Sequence, residues 1–151
     1  MVSFELEKQS NQRMKIEIKR INNATHLEAT NEQGNKMQMD GSPAIGGQEL
    51  GFRPMQLLLA AIGGCSTMDV VSILNKQKQE LRHIEISVDG EREQGVEPSL
   101  FRDIHVHFKL YGNVDPEKAK RAVDLSMTKY CSVSKTLEPT AKITYDFEVL
   151  A

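Results

Sequence analysis

The stretch Pro54-Met55-Gln56-Leu57-Leu58-Leu59-Ala60-Ala61-Ile62-Gly63-Gly64-Cys65-Ser66-Thr67-Met68-Asp69-Val70-Val71-Ser72-Ile73-Leu74 decides how this chain is read. A proline has a fixed φ and no N–H, which suits the first position of a helix. From Leu57 to Leu74 the only charge is Asp69. A run of that length approaches the threshold for crossing a membrane. Gly63-Gly64, Ser66, Thr67 and Ser72 weaken that reading, and a central aspartate costs roughly 2.5–3.5 kcal/mol on the insertion scale. The expectation is a soluble helix over 54–79 that continues through Lys76-Gln77-Lys78. About 26 residues at 1.5 Å each span roughly 39 Å. A helix apolar nearly all round needs cover on every side. A chain of 151 residues can hardly enclose it alone, so a second subunit is expected to share the burial.

The flanks give the fold class. Residues 1–40 read as short strands, with Val2, Phe4 and Leu6 alternating with polar neighbours and Met14, Ile16 and Ile18 doing the same. Asn22-Asn23 and Gln33-Gly34-Asn35 supply turns, because Asn and Gly tolerate positive φ. Residues 40–53, from Asp40-Gly41-Ser42-Pro43 to Gly51-Phe52-Arg53, form a glycine-rich connector in which no regular structure is expected. Over 82–151 the pattern turns to a hairpin, helices and a final strand. Ile84, Ile86 and Val88 alternate, then Ile104, Val106, Phe108 and Leu110, which is an antiparallel hairpin with one dry face. Asp115-Pro116-Glu117 starts a helix expected to reach about Lys129. A short helix follows over Ser132–Leu137, and Ile143, Tyr145, Phe147 and Val149 form the closing strand. The whole is one α+β domain over 1–151.

Composition narrows the function. Nineteen Lys and Arg against 21 Asp and Glu give a net charge of −2, and 39% of residues are hydrophobic. That balance offers no basic surface for nucleic acid. Met1-Val2-Ser3-Phe4-Glu5 is not a secretory leader, so a cytoplasmic, membrane-free protein is expected. In that compartment a disulfide is more often redox-active than structural.

The chain has two cysteines, Cys65 and Cys131, with no zinc-finger spacing. Cys65 lies inside the apolar helix after two glycines, which let a backbone or a substrate approach. Asp69 at i+4 and Ser72 at i+7 share its stripe. The competing reading is a small buried hydrophobe, and a neighbouring carboxylate opposes thiolate formation. Cys131 stands between two helices with Lys129 and Lys135 nearby. A helix N-terminus there would favour a thiolate; equally, it would suit a half-buried cap. The two could act as a peroxidatic and resolving pair if their Cα atoms lie about 4.4–6.8 Å apart. His105 and His107 alternate on one strand face and read most simply as solvated, with no matching carboxylate or cysteine to complete a zinc site. His26 and His83 are isolated.

Pro54 through Ala61, Gly63-Gly64-Cys65-Ser66-Thr67-Met68-Asp69-Val70-Val71, and Lys129-Tyr130-Cys131-Ser132-Val133-Ser134 together resemble the OsmC/Ohr family of organic hydroperoxide reductases. The likeness runs essentially through the whole chain and is nearest to the less characterised YhfA-like branch. It implies an OsmC-like two-layer fold, with antiparallel sheets wrapped around a long central buried helix in an intertwined homodimer. It also implies that Cys65 is peroxidatic and Cys131 resolving, with no metal or organic cofactor and an external dithiol as reductant. The family's usual glutamate after the proline is Met55 here, and no arginine lies between Arg20 and Arg53. Arg53 therefore takes the thiolate-stabilising role, and the expected peroxidase is weak. Phe52, Met55, Gln56, Met68 and Asp69 are expected to line the substrate pocket, with Leu57, Leu58 and Ile62 adding apolar walls that favour a lipophilic hydroperoxide. Two other readings remain: a non-catalytic protein binding a small apolar ligand at the dimer interface, and a redox sensor.

Overall fold

The computed structural model describes residues 13–151, and its contacts fall into two compact units, Met1–Pro54 and Met55–Ala151. The strand expected from Val2, Phe4 and Leu6 lies outside the described residues. Among the described residues, each unit carries a three-stranded sheet.

In the first unit, β1 (Ile16–Arg20), β2 (Leu27–Asn31) and β3 (Lys36–Met39) form an antiparallel meander in that order. The expected turn residues make the turns. Asn22 Oδ1 accepts from the backbone N–H of Ala24 and His26, and Asn31 Oδ1 accepts from those of Gln33 and Asn35. Gly34 takes a φ of 86°, which its missing Cβ permits. The connector after β3 is more organised than its glycines suggest. It holds a single 3-10 turn, Pro43–Ile45, and Phe52 bridges back to Met39.

Asp40 ties that connector down. Its side chain is buried, and Oδ1 accepts from Thr25 Oγ1 and the Gly41 N–H, both at 2.7 Å. Oδ2 accepts from the N–H groups of Gln48 (3.0 Å) and Leu50 (3.2 Å). The Thr25 hydroxyl, helped by the three N–H groups and opposed by burial, holds the Asp40 carboxyl at about 2. All four donors favour the anion.

The second unit opens with α1 (Pro54–Lys76). Its buried residues are Ile62, Gly63, Ser66, Val70 and Leu74, a narrow stripe at helical spacing. The helix stops short of the expected residue 79. Lys78 turns left-handed at a φ of 56°, its N–H bonds the Asn75 carbonyl, and the Gln79 N–H bonds the Leu74 carbonyl. That is a Schellman stop built on lysine in place of glycine.

The hairpin β4 (Glu80–Arg92) and β5 (Phe101–Asn113) is antiparallel and longer than its apolar alternation showed. The last strand, β6 (Lys142–Leu150), runs parallel to β5, so the sheet β4-β5-β6 is mixed and not wholly antiparallel. A helical crossover causes this: α2 (Pro116–Leu125), a π-turn (Ser126–Tyr130) and α3 (Ser132–Leu137) return the chain to the strand's starting end. Asp115 caps α2, its carboxylate accepting from the N–H groups of Glu117 and Lys118. Ile104, Val106, Phe108 and Leu110 point to the core, where they meet Ile62, Val70 and Leu74 of α1 and Ala119, Ala122 and Val123 of α2.

Asp40 makes the first unit acid-sensitive. Its folded pKa lies below the ordinary aspartate value near 3.9, so its stabilising effect is complete above that value. The effect is lost as pH falls through the folded value of about 2. Chemical denaturation from pH 5 to 2 should show stability falling over that window. Asp40→Asn should be less stable at neutral pH and respond less to acid; a variant as acid-sensitive as wild type would contradict the role given to this carboxylate.

Candidate active site

Helix α1 places Cys65 and Asp69 one turn apart, both half-buried. Cys131 reaches them from the crossover. After α2 the chain widens to a π-turn, and the Cys131 N–H closes it on the Ser126 carbonyl at 2.8 Å. Cys131 then becomes the N-cap of α3, its Sγ accepting from the Ser134 N–H at 3.4 Å. The result joins two cysteines distant in sequence: the Sγ atoms of Cys65 and Cys131 and a carboxylate oxygen of Asp69 all lie within 4.8 Å of one another.

The two thiols differ in environment. Cys131 is only 1% exposed, packed among Val123, Met127 and Ala141 in the core. Burial pushes its thiol up to about 11, the Ser134 N–H pulls it down, and Cys65 and Asp69 push it up further. The helix N-terminus expected to favour a thiolate is present, but desolvation of the charged form outweighs it. Cys65 keeps an exposed side. Cys131 is thus held as a thiol at neutral pH.

Sequence reading missed Ser126. It is fully buried and donates from Oγ to Asp69 Oδ2 at 3.0 Å, with a longer contact to the Ser66 carbonyl at 3.4 Å. This hydroxyl joins the π-turn to α1 and orients the carboxylate. Its only signal in the sequence is a small polar residue between Leu125 and Met127.

The other expected site residues are more scattered. Asp69 lines a cleft of about 530 Å³ with Ser72, Ile73, Lys76, Arg121 and Tyr130. Met55 packs on the core of the second unit, Gln56 is exposed, and Met68 stands 75% exposed. Ile62 is fully buried in the core and so is no pocket wall. Gly63 earns its missing side chain by lying against β4, where a Cβ would come within 3.0 Å of Val88, whereas Gly64 faces open space. Phe52 and Arg53 belong to the first unit, where Arg53 Nη2 pairs with Glu49 Oε1 at 2.9 Å.

His105 and His107 do have carboxylate neighbours, contrary to the sequence reading. The parallel register sets Asp146 beside His107 and Thr144 beside His105. Asp146 Oδ1 meets His105 Nε2 at 3.1 Å and His107 Nδ1 at 2.6 Å, while Glu148 meets His107 Nε2 at 3.2 Å. Asp146 and then Glu148 raise the His107 pKa by favouring the imidazolium.

A mixed α+β unit whose apolar helix carries one thiol beside a second thiol on a helical crossover defines a class of protein. A family model described as OsmC-like protein matches residues 46–146. Protein YhfA of Escherichia coli (strain K12) is 37% identical over 139 residues, covering 91% of this chain and 99% of its own. The chain belongs to the OsmC-like family. Solved structures share its fold. An OsmC-like protein from Mycoplasma pneumoniae has a TM-score of 0.77 at 17% identity, over 93% of this chain and 99% of its own. An organic hydroperoxide resistance protein, OsmC, from Legionella pneumophila has a TM-score of 0.71 at 15% identity, over 93% of this chain and 100% of its own.

The contrast between the thiols can be measured on Cys131 alone. In Cys65→Ser, iodoacetamide alkylation of unfolded aliquots sets the reference, with a midpoint near the free-thiol value of about 8.5. In the folded variant Cys131 should react slowly at neutral pH, with a midpoint shifted upwards. A folded midpoint at or below the unfolded one would show that the cap, and not burial, controls this thiol.

Proposed function

We propose that this chain is a thiol-dependent peroxidase that reduces organic hydroperoxides through Cys65 and Cys131. The observation that carries the reading is the convergence of the two sulfurs within 4.8 Å, one with an exposed side and one sealed in the core. The name of the Legionella relative points to the same chemistry.

The difference in burial supports one order of events. A hydroperoxide reaches Cys65, whose thiolate attacks the oxygen remote from the organic group. The O–O bond breaks, the alkoxide leaves as an alcohol after taking a proton, and Cys65 becomes a sulfenic acid. Cys131, withheld from bulky substrate, then attacks that sulfur. The disulfide forms, water leaves, and an external dithiol returns both thiols by exchange. No metal or organic cofactor takes part in this cycle. A pair that must be reduced again suits the cytoplasm.

The cycle fixes what each variant does. Cys131→Ser treated with organic hydroperoxide should hold Cys65 as a sulfenic acid that dimedone traps. Cys65→Ser should not be oxidised at a comparable rate. Oxidation of Cys131 ahead of Cys65 would reverse the roles, and saturable ligand binding without turnover would favour the apolar-ligand reading.

The functional unit in this proposal is a homodimer. The most apolar 18-residue window of α1 has a mean hydropathy of 1.9, enough to cross a membrane by length and composition, yet only 28% of it is buried. Leu58 on that helix remains 36% exposed. A second copy covering it would remove this surface from water, at roughly 25 cal/mol per Å² of apolar area. Light scattering should give twice the chain mass. Leu58→Asp should destabilise the dimer severely, whereas in a monomer the same change at an exposed position would cost little. A monomer at micromolar concentration would contradict the proposal.

A further inference from the structure

We infer that Cys65, Asp69 and Cys131 also form a site for a thiophilic divalent cation of the zinc class, open when the thiols are reduced and closed when they are joined as a disulfide. This goes beyond the peroxide chemistry, since it needs no oxidant and no turnover. Three side chains from two elements bring their ligand atoms within 4.8 Å of one another. Tetrahedral zinc, with bonds of about 2.3 Å to sulfur and about 2.0–2.2 Å to oxygen, places its donors roughly 3.5–3.8 Å apart. Side-chain adjustments of about 1 Å are therefore enough to close the three donors on one ion.

The surroundings fit a metal centre. Ser126 Oγ donates to Asp69 Oδ2 at 3.0 Å, and the Ser134 N–H donates to Cys131 Sγ at 3.4 Å. Such outer contacts orient ligands and keep the site in shape. Of the three donors only Asp69 lines the cleft of about 530 Å³, whose walls also carry Lys76 and Arg121, so water as the fourth ligand would enter from the carboxylate side. The two thiolates are the soft donors that select zinc over magnesium or calcium, and zinc accepts a carboxylate oxygen beside them. Binding is a proton exchange without electron transfer: the two thiols release two protons to solvent as two S–Zn bonds form. While the ion is bound, the Cys65 sulfur is engaged and cannot attack a peroxide. Zinc then shields the pair from oxidation, and oxidation expels zinc.

The test uses the full chain, reduced and freed of metal under anaerobic conditions, titrated with zinc against a chromophoric chelator. One zinc per chain should bind. Cys65→Ser and Cys131→Ser should each weaken binding at least tenfold, and Asp69→Asn should weaken it by a smaller factor. Cobalt in place of zinc should give tetrahedral visible bands and thiolate-to-cobalt absorption that falls with each cysteine removed. Wild-type protein oxidised to the disulfide needs no substitution and should bind none. Failure of reduced protein to hold zinc, or equal binding after loss of both cysteines, would overturn the inference. Zinc binding without peroxide turnover would leave this site standing and remove the peroxidase reading; turnover without zinc binding would do the reverse.

Discussion

Ile62, Val70 and Leu74 of α1 are packed without exposed surface into the same core as Ile104, Val106, Phe108 and Leu110 of β5. Each such side chain contributes about 1.5–3 kcal/mol of transfer free energy. The site depends on this contact. With the stripe held against the sheet, the rotation of α1 is set, and so are the directions in which Cys65 and Asp69 project. The same core holds Val123, Met127 and Cys131 of the crossover. One apolar contact thus fixes both halves of a thiol pair. Ser126 supplies the polar link between them, a buried hydroxyl on a carboxylate.

That arrangement makes two unlike thiols from one residue type. Cys131 loses its solvent and holds its proton; Cys65 retains access. A nucleophile must be reached by substrate, whereas a resolving group needs only to reach its partner. Burial can therefore divide the roles between the two sulfurs. The same closeness that suits disulfide formation suits a shared cation, so redox state and metal occupancy become alternative uses of one pair of sulfurs.

Much of this was legible in the residues, and the remainder was hidden for identifiable reasons. Pro54 and the unbroken apolar run announced α1, and strict alternation announced the β4–β5 hairpin. Asp115-Pro116-Glu117 announced the start of α2. The stop of α1 was misplaced because a lysine takes the left-handed position that usually calls for glycine. Alternation shows that 142–150 is a strand but not which neighbour it joins, so its parallel pairing was invisible. Asp146 became a neighbour of His107 only through that pairing. The π-turn has no periodic signature, and without it the residues alone could not bring Cys131 to Cys65; resemblance to known proteins supplied that expectation. Asp40 looked like one more polar loop residue until its four donors were in place.

The central claim is that the two thiols act as an intramolecular pair. Peptide mapping of the wild-type protein under non-reducing conditions, after stoichiometric organic hydroperoxide, tests it most directly. The account predicts a single cross-linked species joining the Cys65 and Cys131 peptides within one chain, formed together with a matching amount of alcohol. Cross-links between chains, or two cysteines that both remain open to alkylation while the peroxide is consumed, would contradict it.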